Sequence, residues 1–287
     1  MPDAPAIAVL PYGGRLGRTL PEVTLDDLHW PLGRPERLAR GRVADMARSD
    51  HLIVYPKTAM HFQPRWHSPA QVSLMVVEPN IMHGHHLTLL RATHRRFLRV
   101  FSYDRDFLAR IPNGIFLPYG TTWVPDWRDL DLTKTAHMSL IASAKRDHPG
   151  HKLRHAMVEF VQAQGLDVQV MGRGYVPFET KAEGLARFRF SVVIENVRQQ
   201  NYFSEKLIDA VLCETVPIYW GCPNLGDFMD TSGMILCETE AEMRAAILAA
   251  DAARYDRLAP ALRAAKPAAA SFCDLETRAA RALQASL

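Results

Sequence analysis

Residues 188–221 read FRFSVVIENVRQQNYFSEKLIDAVLCETVPIYWG, and the architecture unfolds from them. The strand Phe188–Ile194, with its apolar run Phe190–Ile194, has the length and β-branched content of a buried strand and breaks off at two polar residues, Glu195 and Asn196. Ser204 then supplies an N-cap for a helix through Leu212, and a second apolar run, Val216–Trp220, follows. Strand, helix and strand within so short a segment make a parallel pair joined by a crossover. The rhythm extends upstream: a strand at His137–Ala142, a helix at Lys152–Gln164 stopped by Gly165, a strand at Asp167–Met171 and a helix near Lys181–Ala186. Downstream, a short strand is predicted at Gly233–Leu236. This pattern predicts a parallel α/β sheet covered on both faces.

The first half reads differently. Ile53–Tyr55, Val72–Val77 and Phe97–Phe101 are short buried strands among loops rich in proline, histidine and arginine, with poor helical periodicity. Residues 118–134, PYGTTWVPDWRDLDLTK, have the composition of a connection. The sequence therefore predicts two domains, 1–133 and 134–287, the second ending in an alanine-rich helical tail interrupted by Pro260 and Pro267. That tail packs on its own domain or crosses back to the first half. Residues 1–50 carry no motif.

The chain has 287 residues, 48% of them hydrophobic, enough for two cores. With 34 basic against 31 acidic residues the net charge is +3, which supplies no broad field for a nucleic-acid backbone. Cys213, Cys222, Cys237 and Cys273 have no metal-binding spacing and read as buried free thiols. The opening MPDAPAIAVLPYGG lacks a basic start, and no run reaches the roughly 18 apolar residues of a membrane span. A cytoplasmic protein is expected, with peripheral membrane contact left open.

The chemistry gathers where strands end. Glu195 and Asn196 lie at a carboxyl end, where open α/β sheets bind ligands. Lys206 falls in the first turn of the next helix, against the helix dipole, a mismatch of about 0.3 to 1 kcal/mol that a bound anion reverses. Glu205 beside it suits ribose hydroxyls; the plain alternative is a solvated Glu-Lys pair. Arg154, in the first turn of the predicted helix 152–164, offers a planar fork for phosphate, with Ser143, Lys145 and the Gly172 loop as further candidates at strand ends.

Three blocks carry a resemblance: Phe190-Ser191 leading to Glu195-Asn196, then Tyr202-Phe203-Ser204-Glu205-Lys206-Leu207-Ile208-Asp209-Ala210, then Val216-Pro217-Ile218-Tyr219-Trp220-Gly221. Together they resemble the donor-binding signature of the family-ten α-1,3/4-fucosyltransferases. The resemblance implies a GT-B arrangement, two Rossmann-like domains facing a cleft, the second holding a GDP-sugar. It implies donor-binding roles for Arg154, Glu195, Asn196, Tyr202, Glu205 and Lys206. It extends faintly to Phe101–Asp106 and Phe116–Gly120, and to Glu78-Pro79, where the family places its catalytic glutamate. The implied reaction is inverting transfer of fucose from GDP-fucose to a glycan or glycolipid hydroxyl, with Glu78 as general base and His83 in reserve. Another GDP- or UDP-hexose, or a sugar-nucleotide-binding module without activity, are the alternatives.

Other signals weigh less. Asp104-Arg105-Asp106 has a metal-binding form, but cationic anchors make a bridging metal unnecessary, so no resident metal or cofactor is expected, with stimulation by metal at most. His83, His85, His86 and His94 read as a polar loop facing the acceptor, since no helix is recognisable there. Gly172-Arg173-Gly174 lacks the third glycine of a dinucleotide fingerprint. Trp66, Trp123 and Trp127 are packing residues or acceptor-stacking platforms.

Overall fold

The computed structural model describes residues 4–14, 17–63 and 66–287. The start of the chain as read above, Met1 to Asp3, lies outside the described residues. The chain divides into two compact units, 1–118 with 275–287, and 119–274.

The first unit holds β1 (Ile7–Val9), β2 (His51–Val54), β3 (Gln71–Val76), α1 (Asn80–Thr93), β4 (Val100–Ser102), α2 (Arg105–Leu108) and β5 (Gly114–Phe116). Its strands form one parallel sheet in sequential order, β1-β2-β3-β4-β5. β2, β3 and β4 fall on predicted runs, with β4 displaced toward the carboxyl side; β1 and β5 are too short to stand out. The predicted histidine loop is in fact α1. Its buried face is His83, His86, Leu87 and Leu90, a helical stripe half made of histidine, which hides the periodicity. Asp104 caps α2, accepting from the Phe107 amide at 2.9 Å. Trp66 packs against this core and donates to the Arg96 carbonyl at 3.1 Å.

The second unit holds β6 (Ala136–Ile141), α3 (Pro149–Ala163), β7 (Val168–Met171), β8 (Phe188–Ile194), α4 (Glu205–Leu212), β9 (Val216–Trp220), β10 (Ile235–Leu236), α5 (Glu240–Leu248) and α6 (Ala252–Ala270). The parallel order is β10-β9-β8-β6-β7, so the chain runs outward from β6 to β7 and returns to the other side of β6 at β8. Right-handed crossovers on a sheet that reverses place α3 and α4 on opposite faces; α3 packs with α5, and α4 with α6. The predicted helix at Lys181–Ala186 is a single 3-10 turn, Lys181–Gly184. α6 runs through Pro260 and Pro267 without a break, because Tyr255, Ala259, Leu262, Ala265 and Ala269 are buried along it. That burial offsets the roughly 3 kcal/mol an interior proline costs.

Two boundaries differ from the sequence reading. The division falls after Pro118 instead of near Thr133, because Val124 is buried in the second core and the Thr122 hydroxyl and Trp123 amide bond Asp209 of α4. α7 (Leu275–Gln284) belongs to the first unit. There Glu276 pairs with His29 and accepts from the Tyr55 hydroxyl at 2.9 Å, while Arg99 donates to the Ser286 carbonyl at 2.6 Å. Among the described residues no helix is long and apolar enough to cross a membrane.

Candidate functional site

The reversal between β6 and β8 leaves a crevice outside the carboxyl ends of these two strands. The structure has a cavity of about 780 Å³ there, and its lining includes Ser143 and Lys145 after β6, Asn196 after β8, Arg154 of α3, and Glu205 and Lys206 of α4. Six candidate residues from three separate sequence segments thus meet on one wall.

Arg154 lies in the second turn of α3, not the first, since the helix begins at Pro149. It is buried and donates to the Ile194 carbonyl at the end of β8, 2.5 Å away. Burial lowers its pKa, opposed by the nearby Glu195 and Glu205 carboxylates, and the guanidinium stays charged. The close approach of α3 to β8 depends on Gly150. Its amide donates to the Asn196 carbonyl at 3.0 Å, and a Cβ there would stand 1.7 Å from the Glu195 carbonyl oxygen.

Glu195 is fully buried and spends both oxygens on Ser204: the amide donates at 2.8 Å and the hydroxyl at 2.6 Å. Burial raises its pKa, with Lys206 pulling the other way. Ser204 in turn caps α4, its hydroxyl accepting from the Lys206 amide at 3.3 Å. The Leu207 amide bonds the Ser204 carbonyl. The Lys206 and Leu207 amides are therefore already used, and attraction for an anion rests on side-chain cations. Glu195 holds the cap and is not part of the cavity wall.

The Lys206 ammonium reaches Glu205 Oε1 at 3.0 Å and Glu195 Oε2 at 3.8 Å. Burial works against its charge, but the two carboxylates outweigh it and raise its pKa. For Glu205, burial pushes the pKa up, while Lys206 and Lys181 prevail and lower it. Lys181 is a cavity residue the sequence reading missed. Its ammonium is 3.4 Å from Asp209 Oδ2 and lies over the Trp123 ring at 4.9 Å. Trp123 is exposed and lines the same cavity, whereas Trp127 packs against the core.

Four further candidates are not among the residues lining this cavity. Tyr202 is buried and stacks with Tyr119, ring centres 6.1 Å apart. Gly172 has φ 114° and passes so near β6 that a Cβ would lie 2.1 Å from the Ala142 oxygen, a turn requirement. Glu78 and His83 belong to the first unit. Glu78 sits half-buried in the turn between β3 and α1, and His83 is buried with Nδ1 lacking a hydrogen-bond partner. Burial first, then the neighbouring His85, takes the His83 pKa down to about 4, so the ring is neutral at pH 7.

Residues 133–244 match the model of glycosyltransferase family 10 (fucosyltransferase), C-terminal part, a span that contains β6 to β10 and the cavity wall from Ser143 to Lys206. That match, confined to the second unit, makes this part of the chain similar to the family-ten fucosyltransferases. The alpha-(1,3)-fucosyltransferase FucT of Helicobacter pylori is 33% identical over 101 residues, which is 33% of this chain and 20% of that one. The Homo sapiens 3-galactosyl-N-acetylglucosaminide 4-alpha-L-fucosyltransferase FUT3 is 31% identical over 150 residues, 50% of this chain and 37% of its own. The chain spans well under half the length of these relatives. Among solved structures, TarM aligns at a TM-score of 0.55 and 15% identity over 83% of this chain and 55% of its own. An alpha1,3-fucosyltransferase with GDP-fucose aligns at 0.49 and 18% identity over 73% and 68%. The two-sheet α/β fold is that of the GT-B glycosyltransferases.

Proposed function

We propose that this protein is an inverting glycosyltransferase that moves a sugar, fucose from GDP-fucose, to a hydroxyl of a glycan or glycolipid. The observation that carries the reading is the convergence of Arg154, Lys206 and Lys145 on a cavity at the strand reversal of a domain similar to family ten. In this reading the diphosphate lies against Arg154 and Lys206, which stabilise the charge that grows on it as the glycosidic bond breaks. Glu205, held ionised by Lys206 and Lys181, accepts hydrogen bonds from the ribose. Glu195 and Ser204 act at one remove by fixing the start of α4. Glu78 removes the proton of the acceptor hydroxyl as it attacks the anomeric carbon from the opposite side, which inverts that carbon. No resident cofactor is needed.

A thermal-shift panel of GDP, UDP, CDP, ADP and GDP-fucose tests the donor. Ligand at 100 times its dissociation constant adds about 2.7 kcal/mol, a readily visible shift. The GDP compounds are expected to shift the melt most. A larger shift with UDP would replace GDP-fucose by another donor, and none with any nucleotide would remove the reading.

A further inference from the structure

The loop from β6 into α3 brings together a second set of groups that the donor reading does not use. Asp147, His148 and His151 each offer one ligating atom, and the three atoms lie within 4.8 Å of one another. Among the described residues this is the group in which three or more such side chains converge. The histidines in and beside α1 do not converge in this way: His61, outside the helix, and His86 are bonded to each other, Nε2 to Nδ1, at 3.0 Å.

The placement follows from the helix start. His148 is the N-cap of α3 and Pro149 opens its first turn, so Asp147 precedes the helix and His151 projects from that turn on the same side. Asp147 Oδ1 is 2.7 Å from His151 Nδ1, Asp147 Oδ2 is 3.6 Å from His148 Nε2, and the two imidazoles stack with centres 4.9 Å apart. Ligands at about 2.1 Å from a tetrahedral ion stand about 3.4 Å from each other. The Asp147–His148 pair already has that separation. The Asp147–His151 pair is closer because a proton lies between the two atoms, and an ion replacing that proton needs the pair to open by under about 1 Å.

We propose that Asp147, His148 and His151 bind a divalent transition-metal ion of the zinc class beside the cavity that His151 lines. Two imidazoles and one carboxylate suit zinc, cobalt or nickel, and are too poor in oxygen for calcium or magnesium. Three protein ligands leave a coordination position for water or an anion. The positive end of α3 opposes the ion by a factor of about two to five in affinity, small beside what three ligands contribute. The exposed Asp147 carboxylate neutralises part of the charge. The site stands whether or not the cavity holds a nucleotide.

The test uses the full chain stripped of metal by dialysis against chelator, without nucleotide. Co²⁺ is followed by its visible absorption and Zn²⁺ by titration calorimetry. One saturable ion per chain is expected, with affinity reduced about tenfold or more in Asp147→Asn, His148→Gln and His151→Gln, and unchanged in His85→Gln. Asp147 and His148 are not buried, so their variants remain folded and informative even where His151→Gln does not. Absence of saturable binding, affinity within about twofold of wild type in both Asp147→Asn and His148→Gln, or a loss confined to His85→Gln would each overturn the proposal.

Discussion

Lys206 stands between two buried carboxylates, and that position makes it the cation on which the proposed donor site depends. Replacing Lys206 or Arg154 by alanine is expected to weaken nucleoside-diphosphate binding by about 1.5 to 3 kcal/mol each, the size of one charge-assisted contact. Lys206→Ala also leaves Glu205 and Glu195 without their shared cation, so some stability goes with it. Calorimetry that returned wild-type affinity for Lys206→Ala would place the diphosphate elsewhere. Two histidines of the first unit give a separate prediction at this scale. Burial, then His85, His83 and His61 in that order, bring the His86 pKa to about 3; burial and His85 bring that of His83 to about 4. Both lie below the ordinary value of 6.5, so the unfolded chain binds more protons than the folded one between them. Their contribution to stability is complete above about pH 6.5 and is lost as pH falls toward 4. The melting temperature of wild type should drop across that window more steeply than that of His86→Gln; equal slopes would exclude the histidines as the cause. The cation and carboxylate at the start of α4 were legible in sequence because a strand end and a cap fix their place. Lys181 was not, because its partners Asp209 and Trp123 are joined to it only by the fold.

The start of α4 is the element on which the site turns, because Ser204 serves the helix and Glu195 together. Ser204→Ala removes a cap worth about 1 kcal/mol and takes from the buried Glu195 carboxylate its hydroxyl contact, leaving only the backbone amide, so a loss of about 1 to 3 kcal/mol is expected. Urea denaturation reads it, and a change below about 0.5 kcal/mol would mean that the cap carries no such load. This helix, like β8 and β9, was readable from sequence because cap, apolar period and strand ends agree. α1 was hidden because His83 and His86 fill core positions that a pattern of apolar residues leaves blank. The continuity of α6 was hidden for the opposite reason: Pro260 and Pro267 are local stop signals, and only packing against the sheet and α4 overrides them.

For the molecule as a whole, the two units divide the proposed labour, and one variant can separate their parts. Glu78→Gln keeps the shape of the side chain but cannot take the proton, so turnover should fall by about 10² to 10⁴ while nucleotide affinity, which the proposal assigns to the other unit, persists. Both are measured on one preparation; turnover within about threefold of wild type would exclude Glu78 as the base. Turnover should also survive a strong chelator, because Arg154 and Lys206 offset the diphosphate charge, and complete loss restored by manganese would contradict that. The α/β class and two-domain plan were visible in the rhythm of strands and helices. The division point was not, since the residues after Pro118 look like a linker and their attachment to Asp209 is a tertiary fact. Nor was the return of α7 settled, because an alanine-rich amphipathic helix fits more than one surface. That return has a consequence for biosynthesis. The first sheet leaves the ribosome early, but Leu275, Ala279, Ala280 and Leu283, which complete its packing, are translated only after residues 119–274. The nascent amino-terminal unit therefore waits, with the surface meant for α7 uncovered, until the whole of the second unit has been made. A ribosome stalled before residue 275 would hold a finished second unit beside an unfinished first one.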